Sequence, residues 1–255
     1  MTAATPSAHD QKIVAQFTRW ARPFSELALH AEADGMRRTL AAADLAPDMR
    51  VLDVACGPGI VACAAAKLAG HVTGIDLTPA MIEQAKARQK REGLSNCDWQ
   101  VGDATALPFA DAGFDRAITR YSFHHMPEPI RALKEMARVT RPGGKVVVID
   151  ATPSAQTQAA YDRMESLRDP SHASALTREQ LRALGRAAGL AETAIDFYRL
   201  DARLQALADP SDMAALTALF EADIAGKEDR IGVEARRDAD GIVFRFPISI
   251  LAWTR

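Results

Sequence analysis

The chain has 255 residues, of which 48% are hydrophobic and 25% charged, and its formal net charge is −2 at pH 7. This composition is typical of a globular protein with one large domain, or with a core domain and additions to it. The small net charge gives no electrostatic reason to expect a nucleic acid or an anionic membrane as a partner, and no apolar run approaches the ~20 residues that span a bilayer.

Residues 1–46 are predicted to form an N-terminal tail and a helical cap. The first ten residues, "MTAATPSAHD", lack a basic segment followed by an apolar one, so we expect a short disordered tail and no signal peptide. Ile13, Phe17, Trp20 and Phe24 are three or four residues apart, which indicates one face of an amphipathic helix or a broken pair of helices.

Three cysteines form an odd set without the spacing of metal ligands. This pattern favours a reducing, cytoplasmic location over a disulfide scaffold. The histidines and carboxylates also show no ligand spacing on a single element, so no metal site is predicted.

Residues 47–150 alternate strand-like runs with helical patterns. The runs are "RVLDVAC", "HVTGIDL", "CDWQVGD", "FDRAITR" and "KVVVID". Between the second and third run, "TPAMIEQAKARQKREG" indicates a helix with Thr78 as its N-cap, Pro79 at its first position and Gly93 beyond its end. Strands that alternate with helices at this spacing predict a parallel sheet covered on both faces.

The stretch "VLDVACGPG", residues 51–59, places a Gly-rich turn after the first strand. Such a turn lets a ligand contact the main chain and directs backbone amides at it. Asp53 would repel a pyrophosphate but would attract a ligand that carries an ammonium or sulfonium cation. Asp76, at the end of the second strand, is placed to accept hydrogen bonds from both hydroxyls of a ribose. The context therefore favours a cationic nucleoside over a dinucleotide.

Four motifs in order resemble those of the class I S-adenosylmethionine-dependent methyltransferases, in the small-molecule, type 11 branch. They are "VLDVACGPG", in which Ala55 stands where many members have glycine, "GIDLTPAMIEQAK", "GDATALPFADAGFD" and "LKEMARVTRPGGKVVVID". The resemblance implies an α/β, Rossmann-like fold whose mostly parallel seven-stranded sheet has helices on both faces and an antiparallel last strand. Residues 47–150 would form the cofactor-binding core of this fold.

The resemblance also implies S-adenosylmethionine as the cofactor and S-adenosylhomocysteine as its product. Any one aspartate could equally be a cap or turn residue, but four motifs in register exclude that explanation for the set. Leu77 and Leu107 would be apolar walls around the adenosyl group, and Arg120 would contact the methionine end through its main chain. The expected cofactor-binding residues are Asp53, Ala55, Gly57, Gly59, Asp76, Leu77, Asp103, Ala104 and Arg120.

The segment "TRYSFHHMPEP" follows the fourth strand and is expected to face the transferred methyl group at the carboxyl edge of the sheet. A neutral imidazole suits a general base near pH 7, and the sequence leaves open whether His124 or His125 has this role, or whether either one fills the core. Asp150 ends the fifth strand and could fix the tautomer of the imidazole. Tyr121 is predicted to contact the acceptor.

Residues 151–255 are predicted to complete the sheet of the same domain and to add a lid after the fifth strand. Within "LRDPSH", Arg168 and His172 are expected to bind the acceptor, although this sequence is equally typical of a turn with a solvated arginine.

The function predicted from these features is methyl transfer from S-adenosylmethionine to a small acceptor, first of all O-methylation of a hydroxylated or heterocyclic metabolite. Two alternatives stay open: C-methylation of a prenylated quinone, and a protein that binds S-adenosylmethionine but catalyses a non-transfer reaction. Quinone methyltransferases usually have Arg-Asn where this chain has His124 and His125, which disfavours the first alternative. We expect no nucleic-acid partner, because an Asn/Asp-Pro-Pro-aromatic motif and a basic stripe are missing, no membrane partner, and a monomer or homodimer.

Overall fold

The protein is described by a computed structural model over residues 7–26, 32–207 and 211–255, without the side chains of residues 22–26. Residues 1–6 of the predicted tail and the side chain of Phe24 therefore lie outside the described residues.

The centre of the molecule is one sheet of eight strands. The strands are β1 (Arg50–Val54), β2 (His71–Asp76), β3 (Cys97–Val101), β4 (Phe114–Arg120), β5 (Thr140–Ala151), β6 (Ala191–Arg203), β7 (Arg236–Asp238) and β8 (Gly241–Thr254). Seven of them lie in the order β3-β2-β1-β4-β5-β8-β6, and β7 pairs with β8. The first five strands are mutually parallel, whereas β8 is antiparallel to both β5 and β6. The predicted mostly parallel sheet with an antiparallel last strand is confirmed, with the short β7 as an eighth strand.

Helices lie on both faces of this sheet. They are α1 (Ala8–Glu26), α2 (Ala33–Ala43), α3 (Ile60–Ala66), α4 (Pro79–Arg91), α5 (Pro129–Val139), α6 (Gln158–Arg168), α7 (Arg178–Ala187), α8 (Leu204–Leu207) and α9 (Met213–Gly226). None of the helices within the described ranges combines the length and apolar character needed to cross a bilayer.

Alternation along the buried strands divides the core into two layers. Val51 and Val147 belong to one apolar cluster, together with side chains of α3, α6 and α9. Their neighbours Leu52 and Val146 belong to the other, with side chains of α5 and α7. Successive strand residues point to opposite faces, so these continuous apolar runs bury both faces of the sheet.

The start of α4 shows why the acid at the end of β2 matters locally. Thr78 is the N-cap residue and Pro79 the first helical residue, but the Thr78 hydroxyl makes no capping hydrogen bond. The carboxylate of Asp76 instead accepts a hydrogen bond from the Thr78 amide at 2.8 Å. This turn fixes Asp76 at the carboxyl end of β2, beside the loop that follows β1.

The segment after β5 packs into the protein. Tyr161, Met164 and Glu165 of α6 are buried, and so are Asp169 and Ser171 in the loop that follows. Of the two residues of this segment expected to bind the acceptor, His172 is buried and Arg168 is partly buried.

Candidate active site

The turn between β1 and α3 presents its backbone to a cavity. Ala55, Gly57 and Gly59 all have positive φ angles, of 54°, 51° and 74°. A Cβ atom on Gly59 would lie 2.7 Å from the ring of Trp99 and 3.0 Å from the Cβ of Ala85, so a side chain has no room there. Ala55 adopts the left-handed conformation although it has a Cβ, which gives a physical reason for glycine at this position in many relatives of the motif.

Two buried aspartates lie next to this turn. Asp76 accepts a hydrogen bond from the Gly57 amide at 2.8 Å, and burial raises its pKa although the amides of Thr78 and Gly57 oppose the shift. Asp53 is 2% exposed, and its Oδ2 is buried with no hydrogen-bond partner among the described residues. Burial raises the pKa of Asp53 to about 8. A buried carboxyl group in this state is suited to a cationic partner.

The cavity beside these residues has a volume of about 640 Å³, within the range of small-molecule sites. Eight of the nine expected cofactor-binding residues border it, and Gly59 is buried behind the turn. Other bordering residues come from α1, from the loop after β4 and from the start of α5; they include Ser7, Asp10, Ile13, Phe17, Tyr121, Ser122, His125, Met126, Pro127, Glu128 and Arg131.

At the end of β3, Asp103 is both a cavity residue and a turn residue. Its carboxylate accepts hydrogen bonds from the amide and hydroxyl of Thr105, at 2.7 and 2.8 Å. Leu77 borders the cavity as expected, whereas Leu107 is absent from its wall and is buried in the core among side chains of α5. An apolar residue in this loop therefore serves the packing of the sheet.

Arg120 and Tyr121 end β4 at the cavity wall. The Arg120 guanidinium lies 4.5 Å from the centre of the Tyr121 ring and donates a hydrogen bond to its hydroxyl at 3.1 Å. The Tyr121 hydroxyl also contacts that of Tyr198 on β6, at 2.9 Å. Tyr121 is thus held by its chain neighbour Arg120 and by a tyrosine of the edge strand β6.

Beyond them, His124 pairs with Asp150. The His124 Nδ1 lies 2.5 Å from Oδ1 of Asp150, and the His124 amide donates to the other carboxylate oxygen at 3.2 Å. Burial alone would lower the pKa of His124, but the charge and hydrogen bond of Asp150 outweigh it, so the pKa lies above its ordinary value. The His124 side chain is 12% exposed and is not part of the cavity wall described above. The pair joins the short helical turn after β4, residues 123–125, to the end of β5.

His125 borders the cavity but has the opposite electrostatic character. Burial, followed by repulsion from His124, lowers the pKa of His125 to about 3. Its ring centre lies 4.2 Å from that of His124 and 5.0 Å from that of Phe17, edge to face. The structure therefore separates the two histidines that the sequence could not distinguish: one is basic, and the other is neutral and borders the cavity.

Arg168 and His172 do not border this cavity. Arg168 donates to Glu165 at 2.5 Å, and His172 Nε2 lies 2.8 Å from Asp162. The His172 ring centre is 5.8 Å from that of His124, so His172 lies behind the histidine pair. Sequence reasoning did not foresee the contact of Ser171 with His125, nor the covering of the cavity by Ile13 and Phe17. The available signals in the sequence were the Asp-x-Ser turn for Ser171 and the apolar helix face for Ile13 and Phe17.

The sheet and its helices have the Rossmann-like fold of the class I methyltransferases. YcgJ of Bacillus subtilis has a solved structure with a TM-score of 0.78 at 24% identity, which covers 86% of this chain and 97% of that one. A solved structure of the cyclase SpnF gives a TM-score of 0.68 at 23% identity and covers 99% of both chains. At these identities the likeness establishes the fold.

Residues 52–148 match the family model described as "Methyltransferase domain". This part of the chain is a methyltransferase domain, and the predicted resemblance to the class I methyltransferases is confirmed.

Curated relatives match over part of their length. The uncharacterized protein Rv1405c of Mycobacterium tuberculosis is 39% identical over 156 residues, which are 60% of this chain and 56% of that protein. The uncharacterized methyltransferase YcgJ of Bacillus subtilis is 30% identical over 158 residues, 61% of this chain and 62% of that one. A ubiquinone/menaquinone biosynthesis C-methyltransferase of Ruegeria sp. is 39% identical over 121 residues, 46% and 48% of the two chains. The chain thus spans less than two thirds of each of these relatives.

Proposed function

We propose that this protein transfers a methyl group from S-adenosylmethionine to a small-molecule acceptor. The methyltransferase domain over residues 52–148 supports the reaction class, and the cavity of about 640 Å³ supports a small acceptor. When bound, the cofactor would supply a methyl group on a sulfonium centre for in-line displacement.

The residues present fit this cofactor. The buried, unpartnered Oδ2 of Asp53 matches a ligand that carries an ammonium group, and the turn backbone at Gly57, which borders the cavity, leaves space for its methionine end. Asp76 would hold the ribose, and Asp103 with Ala104 the adenine. Each of these assignments uses a residue that borders the cavity.

For the chemistry we propose O-methylation with His124 as the general base. The observation that carries this assignment is the 2.5 Å contact between His124 Nδ1 and Asp150 Oδ1. Asp150 accepts a hydrogen bond from the Nδ1–H group, so the lone pair of Nε2 is free to take the proton of an acceptor hydroxyl. The negative charge of Asp150 then stabilises the imidazolium that forms. His125, with its pKa of about 3, would be too weak a base to keep a proton near pH 7.

A C-methyltransferase of a quinone is the second candidate. It is favoured by the 39% identity to the Ruegeria enzyme over 121 residues, and it is disfavoured by His124 and His125, which stand where the quinone enzymes usually have Arg-Asn. The cyclase SpnF, which shares the fold, illustrates the third possibility, a non-transfer reaction.

Cofactor binding is tested by calorimetry with S-adenosylhomocysteine. Asp76→Ala should weaken binding by ~1.5–3 kcal/mol because it removes hydrogen bonds to a charged group. Asp98→Ala is the control, since the Asp98 side chain is 77% exposed on the neighbouring strand. Binding of NADH without binding of S-adenosylhomocysteine would contradict the proposed cofactor.

The reaction is tested by supplying the methyl-labelled cofactor with a metabolite extract and identifying the labelled product by mass. With that acceptor, His124→Ala should lower turnover by ~10²–10⁴ with unchanged affinity for S-adenosylhomocysteine, and Asp150→Asn should lower it less. His71→Ala, a half-exposed histidine at the far end of β2, should have no effect. Near-normal turnover of His124→Ala at pH 7 would refute the base assignment, and cofactor binding without any labelled product would favour the non-transfer reaction.

A further inference from the structure

The loop that follows α6 makes a hydrogen-bonded chain to the cavity wall. Asp169 Oδ1 accepts from the Ser171 hydroxyl at 2.5 Å and from the Ser171 amide at 2.8 Å. His125 Nδ1 lies 3.1 Å from the Ser171 hydroxyl and 3.2 Å from the Ser171 carbonyl oxygen. All three residues are at most 8% exposed. Asp169, Ser171 and His125 therefore form one buried unit. Its two parts are distant in sequence, since Ser171 and His125 are 46 residues apart.

The position of the imidazole proton follows from this arrangement. A carbonyl oxygen can only accept, and the one hydroxyl proton of Ser171 is directed to Asp169. Both partners of Nδ1 are therefore acceptors, so Nδ1 carries the proton and Nε2 has the lone pair. No described residue forms a hydrogen bond to Nε2. His125 borders the cavity, and its ring packs against Phe17, which borders the cavity too.

We infer that Asp169 and Ser171 hold His125 in its Nδ1–H tautomer, so that Nε2 accepts a hydrogen bond from a hydroxyl or N–H group of the acceptor other than the hydroxyl whose proton His124 takes. This inference rests on the proposed methyl transfer and names its substrate class: a neutral acceptor that has a second hydrogen-bond donor, a hydroxyl or an N–H group, beside the hydroxyl that is methylated. An ionised carboxylate has no proton to donate, so it would face the lone pair of Nε2 without forming a hydrogen bond. His125 is then a specificity-determining residue, and Asp169 and Ser171 are positioning residues.

The surroundings keep His125 neutral, so its tautomer is the property that the protein controls. Burial and the charge of His124 act against a second proton on the ring, while Asp169, Ser171 and Asp150 favour one less strongly. From α1, the Phe17 ring packs edge-on against His125, and His9 Nε2 contacts the His125 carbonyl oxygen at 2.7 Å.

Histidine ¹⁵N resonances distinguish the two tautomers directly and require no acceptor. The experiment uses the full chain, labelled at histidine and saturated with S-adenosylhomocysteine, and His125→Gln assigns the signals. The wild-type protein should show Nδ1–H and a bare Nε2 from pH 5 to 8. An Nε2–H tautomer, or a titration of His125 within this range, would overturn the inference.

Three variants separate tautomer control from ordinary support of the loop. Asp169→Ala frees the Ser171 hydroxyl to donate to Nδ1, so at least a tenth of His125 should change to Nε2–H. Ser171→Ala keeps the carbonyl acceptor and should keep Nδ1–H. The double variant Asp169→Ala/Ser171→Ala, which lacks the competing hydroxyl, should return to the wild-type tautomer although the loop has lost both side chains. If Asp169→Ala does not fold, Asp169→Asn, which keeps an acceptor oxygen, should show the wild-type tautomer.

Activity provides a second arm. With the acceptor identified by methyl labelling, Asp169→Ala should lower kcat/KM by ~10–100-fold, mainly through KM, and the double variant should recover most of the loss. Recovery of the tautomer without recovery of kcat/KM would refute the specificity role. If no methyl transfer is detected at all, the proposed function fails, while the NMR result still decides the tautomer.

Discussion

Replacing Asp53 by asparagine is expected to stabilise the ligand-free protein and, at the same time, to weaken the binding of a cationic cofactor. Asp53 is 2% exposed, and its Oδ2 has no partner among the described residues. Burial raises its pKa to about 8; the amide of Ala62 opposes the shift, the charge of Asp76 adds to it and Arg120 opposes it. Asparagine has nearly the same shape and no ionised form.

The size of the effect follows from proton linkage. The pKa of Asp53 in the folded protein lies above the value of ~3.9 for an unfolded aspartate. The wild-type fold therefore has its full stability below about pH 4, where Asp53 is protonated in both states, and loses stability as pH rises through about 8. At pH 7 the loss is about 1.4 kcal/mol for each of roughly three pH units, or about 4 kcal/mol at most. Asp53→Asn should therefore exceed the wild type in free energy of unfolding at pH 7 and match it near pH 4.

Urea denaturation between pH 4 and 8 measures the first effect, and calorimetry measures the second. We expect affinity for S-adenosylmethionine to fall ~10–100-fold in Asp53→Asn. The wild type should also release a proton on binding at pH 7, detected by repeating the titration in buffers of different ionisation enthalpy. Asp98→Asn, an exposed strand position, is the control. An Asp53→Asn protein less stable than the wild type at pH 7 would show that the carboxylate is ionised and satisfied in the free protein, and would refute the reasoning.

Three further changes test the turn and the histidine pair. Gly59→Ala should lower the free energy of unfolding, measured in urea, by ~2 kcal/mol or more, because the new Cβ would lie 2.7 Å from a tryptophan ring. The control Gly93→Ala is also at positive φ but would have no atom within 4 Å of its Cβ, so it should cost only ~1 kcal/mol. Equal losses in the two variants would contradict the close approach. Ala55→Gly relieves a φ of 54° and should gain up to ~1 kcal/mol in the same assay, and a loss above that size would show that the alanine side chain stabilises the turn. Asp150→Asn should lower the free energy of unfolding by ~2–4 kcal/mol between about pH 4 and 6.5. The raised pKa of His124 stabilises the fold at pH values below the ordinary pKa of histidine, and the lowered pKa of Asp150 stabilises it at pH values above the ordinary pKa of aspartate. Above the folded pKa of His124 this cost should shrink, and a cost independent of pH would refute the ion pair.

Local signals made the core of the fold predictable. Val- and Ile-rich runs predicted the five parallel strands. The acids near the ends of β1 and β2 predicted residues that border the cavity, because a strand end and the turn after it are determined by neighbouring residues. β7, with only three residues (Arg236–Asp238), is too short to show alternation. Leu107 was assigned to the adenosyl pocket because its apolar character alone does not reveal which of two nearby surfaces it covers.

The histidine site was predictable only to the level of residue type. The contact of His124 with Asp150 followed from their positions on neighbouring strands. The different characters of His124 and His125 could not be predicted, because they depend on burial and on Ser171, which is far away along the chain. The apolar face of α1 was also visible in the sequence, yet nothing in the spacing of Ile13 and Phe17 indicated that they would border the cavity.

The central position of β8 has a consequence for how the chain reaches this fold. β8, residues 241–254, pairs with β5 on one side and β6 on the other, and β6 has no other strand partner among the described residues. On the ribosome, where chains grow at ~5–20 residues per second, β5 and β6 are therefore both made before the strand that joins them. Until then each has an open edge that can pair with another chain. We expect the nascent protein to complete its sheet only once β8 has been made and has left the ribosome, and to depend on chaperones or low concentration during that interval more than a protein whose central strands are made first.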